Sequence, residues 1–253
     1  MAPRASGPGS PRVLVIDVGG THIKVMVTGQ RVPRKIVSGP EMTARRMVSK
    51  VKQLAAQWPY DVVTIGYPGP VAHGRPIRDP VNIGGGWVGF DYRRAFGHPV
   101  KLLNDAAMQA MGSYEGGRML FLGLGTGLGS TMIADGIVEP FELAHLPYKS
   151  GRTYEDYVGV RGLKKFGKKK WRKYVLDVIS RLQQAVEPEY IVIGGGNAKK
   201  LRGLPRNARL GDNRKAMVGG FLAWRNEGGR TVRAGPPLEI RRSRPGPRRR
   251  RSK

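Results

Sequence analysis

Residues 13–17 form a β-branched run that stops at Asp17 and a Gly-Gly turn, and residues 23–27 alternate apolar and polar, so the chain opens as a β-hairpin. Within 41–57, apolar side chains at Met42, Met47, Val48, Val51, Leu54 and Ala55 follow the helical period, and Pro59 closes the stretch. This predicts an amphipathic helix. Residues 62–66 read as a buried strand leading into Tyr67-Pro-Gly-Pro70, and 100–103 as another that ends at Asn104-Asp105 before a helical stretch over 106–114. The outline then repeats. Residues 119–124 and 130–134 read as strands around a glycine-rich turn, with Asp135-Gly136 as a hairpin turn. A helix is predicted over 171–186 from Val175, Val178, Ile179, Leu182 and Val186, followed by a strand over 190–193 and a last helix over 216–224. Two such halves, meeting around residues 104–120, predict a bilobed α/β protein with a cleft. The lobes are 13–105 and 106–224, the last helix being free to pack back on the first lobe.

A chain of 253 residues is long enough to bury such a core. Composition adds a partner class: 45 Lys and Arg against 18 Asp and Glu give +27, which calls for nucleic acid, membrane or phosphate. Residues 225–253 hold eleven of the basic residues and two Glu, net +9, in a Pro/Gly-rich setting that cannot build a core. They are expected to be a disordered tail, as residues 1–12 are expected to be a disordered leader. The body, 1–224, keeps +18. Absence of Cys excludes disulfides and thiolate metal sites, and no run of about 20 apolar residues suits a membrane span. A cytoplasmic protein with no membrane partner is expected.

Three glycine-rich turns each follow a predicted strand: Asp17-Val-Gly19-Gly20-Thr21, Gly123-Leu-Gly125-Thr126-Gly127-Leu-Gly129, and Gly194-Gly195-Gly196. Such turns let backbone N–H groups cradle phosphate oxygens, with Thr21 and Thr126 as added donors and Lys24 as a cation. Each alone also suits an ordinary hairpin. The Walker pattern is absent, and the second turn joins two strands where a dinucleotide fingerprint would open a helix. Asp105 opens a helix, so an N-cap role stands beside that of a general base for phosphoryl transfer to an alcohol. Asn104 can hydrogen-bond a sugar hydroxyl. Glu142 and His145, three apart, suit recognition of a diol, and Glu155 is a further acid in an aromatic setting that also fits a helix start.

Taken together, Asp17-Val-Gly-Gly-Thr-His-Ile-Lys24, Leu103-Asn-Asp-Ala106, Gly123 to Gly129 and Ile193-Gly-Gly-Gly-Asn197 resemble the motifs of the ROK sugar kinases, and most closely their polyphosphate glucokinase branch. Gly-Lys-Lys-Lys-Trp171, residues 194–200 and Gly211-Asp-Asn213 add to that likeness, which runs over about 13–224. The resemblance implies the bilobed actin-like ATPase (ribonuclease H-like) fold, Asp105 as the base for the 6-hydroxyl of glucose, and sugar contacts from Asn104, Glu142, His145 and Glu155. Ala144 replaces the Gly of the family's E-x-G-H pattern, a change expected to shift the loop slightly. The Cys-rich zinc motif of many members is missing, as it is in the polyphosphate branch.

Residues 161–173 hold eight basic side chains and no acid. A solvated helix face is one reading; a track for a linear polyanion is the other, formed by Lys164, Lys165, Lys168, Lys169, Lys170 and Arg172. Inorganic polyphosphate is the preferred donor, with ATP or GTP as a second, and Mg²⁺ held by Asp17 is the expected cofactor. The expected partners are glucose, polyphosphate or ATP, a second copy of the chain, and polyanions touching the tail. Two alternatives stay open: an ATP-dependent hexokinase for a sugar such as mannose or fructose, and a non-catalytic sugar-sensing or nucleic-acid-binding relative.

Overall fold

The structure is a computed structural model that describes residues 10–225 and the backbone of 233–234. The apolar runs form two sheets. The first contains β1 (Val13–Val18), β2 (His22–Val27), β3 (Arg34–Val37), β4 (Val62–Tyr67) and, after a separate hairpin of β5 (Val71–Ala72) and β6 (Arg75–Pro76), β7 (Val100–Asn104). The second contains β8 (Arg118–Leu124), β9 (Leu128–Ala134), β10 (Ile137–Phe141), β11 (Tyr190–Gly194), β12 (Ala208–Leu210) and β13 (Arg233–Ala234). Their orders are β3-β2-β1-β4-β7 and β12-β11-β8-β9-β10-β13. In each, a central strand, β1 or β8, has its hairpin partner antiparallel on one side and a parallel strand on the other.

Register decides which residues share an edge. Asp17 lies beside Gly66, and Tyr67 beside Asn104, so the carboxyl ends of the parallel strands β1, β4 and β7 come together. Gly123 lies beside Gly194 at the corresponding end of β8 and β11. Ligands of open α/β sheets gather at such edges.

Helices α1 (Ala44–Leu54), α2 (Tyr92–Phe96), α3 (Asp105–Ser113), α4 (Tyr154–Val158), α5 (Val160–Val186) and α6 (Lys215–Leu222) complete the fold. Helix α1 is shorter than predicted because Thr43 caps it, its hydroxyl accepting from Arg46 N–H at 3.2 Å. Helix α5 starts eleven residues earlier than its apolar period showed, at Val160 against 171. Its first half is lysine-rich, and Gly167 (φ 71°, ψ 161°) breaks it from the second. Strand β3 was not foreseen because three of its four residues, Arg34, Lys35 and Val37, are exposed on an edge.

Each sheet has its own apolar core, and a further cluster joins Val13, Val15 and Val62 to Met108 of α3 and Met217 and Phe221 of α6. Helices α3 and α6 touch backbone to backbone: a Cβ on Gly112 would lie 1.9 Å from the Lys215 carbonyl oxygen, and one on Gly219 would lie 1.8 Å from that of Met108. Helix α6 is tied to the first sheet, since Thr64 donates to Gly220 O (2.8 Å) and accepts from Trp224 Nε1 (2.9 Å). The expected leader and tail lie mostly outside the described residues. Within them, Arg12 donates to Asp61 at 2.9 Å, and Arg233–Ala234 pairs in parallel with Ile137 and Val138.

Candidate active site

Of the two roles open to Asp105, the cap belongs to its neighbour. Asn104 Oδ1 accepts from Ala107 N–H (3.1 Å), and its Nδ2 donates to Gly69 O (3.0 Å). That fixes the end of β7 against the loop after β4 and leaves Asn104 with limited capacity for a sugar hydroxyl. Asp105 Oδ1 accepts from Ala106 N–H at 2.7 Å. Burial pushes the Asp105 carboxyl up to about 7, and the charges of Asp17 and Glu142 push the same way against the backbone N–H groups of Ala106 and of Asp105 itself. Its electrostatic neighbours therefore come from both lobes. A carboxylate so poised can take a proton near neutral pH.

Asp17 is largely buried and is paired with Lys24 at 2.8 Å, so Lys24 does not stand as a free cation. The Gly19-Gly20 turn is tight: Gly19 N–H donates to His22 O (3.1 Å), and a Cβ on Gly19 would lie 2.7 Å from that oxygen. Asn82, which sequence reasoning passed over, lies against Gly20, its Cβ 3.7 Å from where a Cβ there would be. Thr21 O accepts from Ser38 N–H (2.9 Å), fastening the turn to the end of β3.

The other two glycine turns are cross-linked. Asn197 donates from its backbone N–H to Leu124 O (2.9 Å) and from Nδ2 to Gly125 O (3.0 Å). Gly195 has φ 85° and packs on Leu124, where any Cβ would lie 2.4 Å from the carbonyl oxygen. Asn213 Oδ1 accepts from Gly195 N–H (3.1 Å) and from Gln109 Nε2 of α3 (3.0 Å), which links Gly194-Gly195-Gly196 to the helix that begins with Asp105. Thr126 O accepts from Val160 N–H (3.0 Å), joining Gly125-Thr126-Gly127 to the start of α5. Gln109, Asn197 and Asn213 were not foreseen as site residues, although the last two lie in the quoted motifs.

Glu142 and His145 flank the short turn Leu143–His145, with Oε2 and Nε2 3.9 Å apart and both side chains exposed. Ala144 between them is buried in the second core, so the methyl that replaces the family's glycine hydrogen points inward. Glu155 lies against Gly127, where a Cβ would meet its Oε2 at 2.1 Å, and accepts from Arg161 at 3.3 Å. The structure thus brings Glu155 to the second glycine turn.

The basic run divides. Arg161 is compensated by Glu155 (3.3 Å) and Asp156 (3.4 Å), and Arg172 donates from Nε to Lys200 O at 2.5 Å, bracing α5 against the segment after the third turn. Lys164, Lys165, Lys168, Lys169, Lys170 and Lys173 are exposed and make no ion pair among the described residues. They flank the break at Gly167, two before it and four after.

Residues 13–139 match the model of the ROK family. The chain belongs to the ROK family. Polyphosphate glucokinase of Mycobacterium tuberculosis (strain ATCC 25177 / H37Ra) is 29% identical to this ROK chain over 210 residues, which is 73% of this chain and 77% of that one. The inorganic polyphosphate/ATP-glucomannokinase of Arthrobacter sp. strain KM has a similar fold, with a TM-score of 0.72 and 24% identity over 85% of this chain and 98% of that one. The ROK glucokinase of Streptomyces griseus, solved with glucose and AMPPNP, gives a TM-score of 0.68 at 18% identity over 83% of this chain and 97% of that one. These neighbours share the bilobed actin-like ATPase fold. No helix among the described residues is long and apolar enough to cross a membrane.

Proposed function

We propose that this ROK chain transfers a phosphoryl group from inorganic polyphosphate to the 6-hydroxyl of glucose, with ATP or GTP as a second donor. The observation that carries the reading is Asp105: a carboxylate at the carboxyl edge of β7, buried and raised to about 7, with the third glycine turn linked to its helix through Asn213 and Gln109. Asp105 takes the 6-hydroxyl proton as that oxygen attacks the terminal phosphorus; the bond from phosphorus to its bridging oxygen breaks, and the polymer leaves one phosphate shorter. Glu142, His145 and Glu155, with Asn104, hold the sugar so that this hydroxyl faces Asp105. Gly20, Thr21, Thr126, Gly127 and Gly196 present backbone and hydroxyl donors to the terminal phosphates, while Gly19, Gly125 and Gly195, whose N–H groups donate to His22 O, Gly127 O and Asn213 Oδ1, shape the turns that hold them. Lys164, Lys165, Lys168, Lys169 and Lys170 carry the rest of the polymer, while Arg172 fixes the helix that bears them.

Asp17 is where Mg²⁺ fits. Its carboxylate lies close enough to Asp105 to raise that group, and Mg²⁺ uses one or two carboxylates plus phosphate oxygens and water. Held there, the ion would neutralise charge on the phosphate oxygens. Lys24 holds Asp17 in place and shares that field. The relatives' names support glucose and polyphosphate as the substrates. Incubating the purified chain with glucose, Mg²⁺ and either donor tests the reading. Glucose 6-phosphate from polyphosphate supports it, product from ATP alone contradicts the donor assignment, and product from neither contradicts the kinase.

A further inference from the structure

Residues 147–153 form a tight hairpin that sits between the sugar-facing groups. Pro147 bridges Thr153, Tyr148 N–H donates to Arg152 O (2.7 Å), and the chain turns through Ser150 and Gly151, both at positive φ (52° and 66°). His145 lies two residues before this hairpin and Glu155 two residues after it, so the hairpin sets the spacing between them. On the upstream side, Ser130 holds the segment by donating to Phe141 O (2.7 Å) and accepting from Leu143 N–H (3.2 Å). The downstream anchor is Tyr148. Its hydroxyl donates to the Asp177 carboxylate of α5 in a short hydrogen bond, and Asp177 also faces Arg181 (3.2 Å) and Lys149 (3.6 Å).

The same ring stands in an aromatic cluster. Tyr148 meets Tyr157 edge-on (4.9 Å) and Tyr154 (5.3 Å), Tyr157 stacks on Phe166 (5.0 Å), and Phe166 meets Tyr174 (5.0 Å). Phe166 and Tyr174 lie on opposite sides of the break at Gly167, so the cluster spans the kink that carries the unpaired lysines. Glu142 and His145 are exposed and face one another at 3.9 Å, so few contacts of their own side chains fix them and their placement follows that of their backbone.

We infer that Tyr148 and Asp177 are positioning residues that clasp the segment bearing Glu142, His145 and Glu155 onto the lysine-bearing helix α5. The clasp fixes where the acceptor carboxylates stand relative to the donor track, and it deepens the functional reading proposed above, on which its kinetic part rests. Exposed ion pairs contribute little alone, but a hydroxyl on a carboxylate that also has two cationic partners is a charge-assisted bond, so losing it should be felt.

Hydrogen exchange on the full-length protein tests the clasp whatever the substrate. In Tyr148→Phe, the amides of 142–157 should exchange at least about fivefold faster, those of α3 unchanged. The glucose KM should rise about tenfold with the polyphosphate KM within about twofold, a tenfold change being the loss of one good hydrogen bond. Asp177→Asn, which keeps an acceptor, should fall between, and the double variant should match Tyr148→Phe alone. Unchanged exchange over 142–157 in a folded Tyr148→Phe would overturn the inference, as would equal rises in both KM values. If the wild-type chain phosphorylates no sugar, the functional reading falls and the exchange result alone decides the clasp.

Discussion

The two lobes use one strand order for different ends. In the first, carboxylates stand at the ends of two parallel strands, Asp17 on β1 and Asp105 just past β7, and in the second β8 and β11, the counterparts of β1 and β4, end in Gly123 to Gly127 and Gly194 to Gly196. Charge is shared less evenly at the site. Asp17 and Asp105 are partly buried on the first edge, Glu142 is exposed and Glu155 packs on Gly127 in the second half, and the uncompensated lysines are exposed on α5, the helix that Thr126 joins to the second edge. On the reading proposed above, the first lobe supplies the proton acceptor and one glycine turn, and the second supplies two glycine turns and the lysines. A repeated scaffold can thus hold both halves of a transfer reaction, and the close packing of α3 on α6, with α6 tied to the first sheet, is the lock that joins them.

That division can be broken from either side. Asp105→Asn removes the base on the first edge and should lower turnover by about 10²–10⁴-fold while glucose still binds, as read by calorimetry alongside kinetics. Lost binding would make Asp105 a recognition group. Gly219→Ala strikes the lock: a Cβ placed 1.8 Å from Met108 O must push α6 off α3, and thermal unfolding should show a loss of about 2–4 kcal/mol. An unchanged melting temperature would show that the two helices can part freely.

Two smaller effects follow from the raised carboxyl. Activity measured as kcat/KM should climb with pH through about 7 as Asp105 loses its proton, and a limb set near the ordinary value of 3.8 would contradict its burial. Between these values the folded protein holds a proton that the unfolded chain has released, so stability falls as pH rises from about 4 to about 7. Asp105→Asn should remove that slope and be more stable than wild type at pH 8 by about 1–2 kcal/mol, allowing for solvent screening. Asp61, held low by Arg12, works in the opposite direction, being lost as stabilisation only when pH falls through its own low range, about 2.

Much of this arrangement was legible in the sequence because it is local. The apolar period located β1, α1, β4 and α6 to within a few residues, and Asp17, Asp105 and the glycine turns stood where strands end. What escaped was either polar or distant. Strand β3 and the first half of α5 carry charged side chains with no apolar period, so only packing reveals them. The bonds from Gln109 to Asn213 and from Asn197 to Gly125 join residues 104 and 72 positions apart, and no local pattern marks them. Asn104, not Asp105, takes the cap, a choice between adjacent residues that spacing alone leaves open.

The division between lobes is tested most directly by changing Lys164, Lys165, Lys168, Lys169 and Lys170 together to Gln and measuring kcat/KM for polyphosphate and for ATP in low salt. Removing five unpaired cations should lower the polyphosphate value at least about tenfold and flatten its salt dependence, with the glucose KM unchanged and ATP affected less than about threefold. Equal losses for both donors, or no loss for polyphosphate, would contradict the assignment of the donor track to α5.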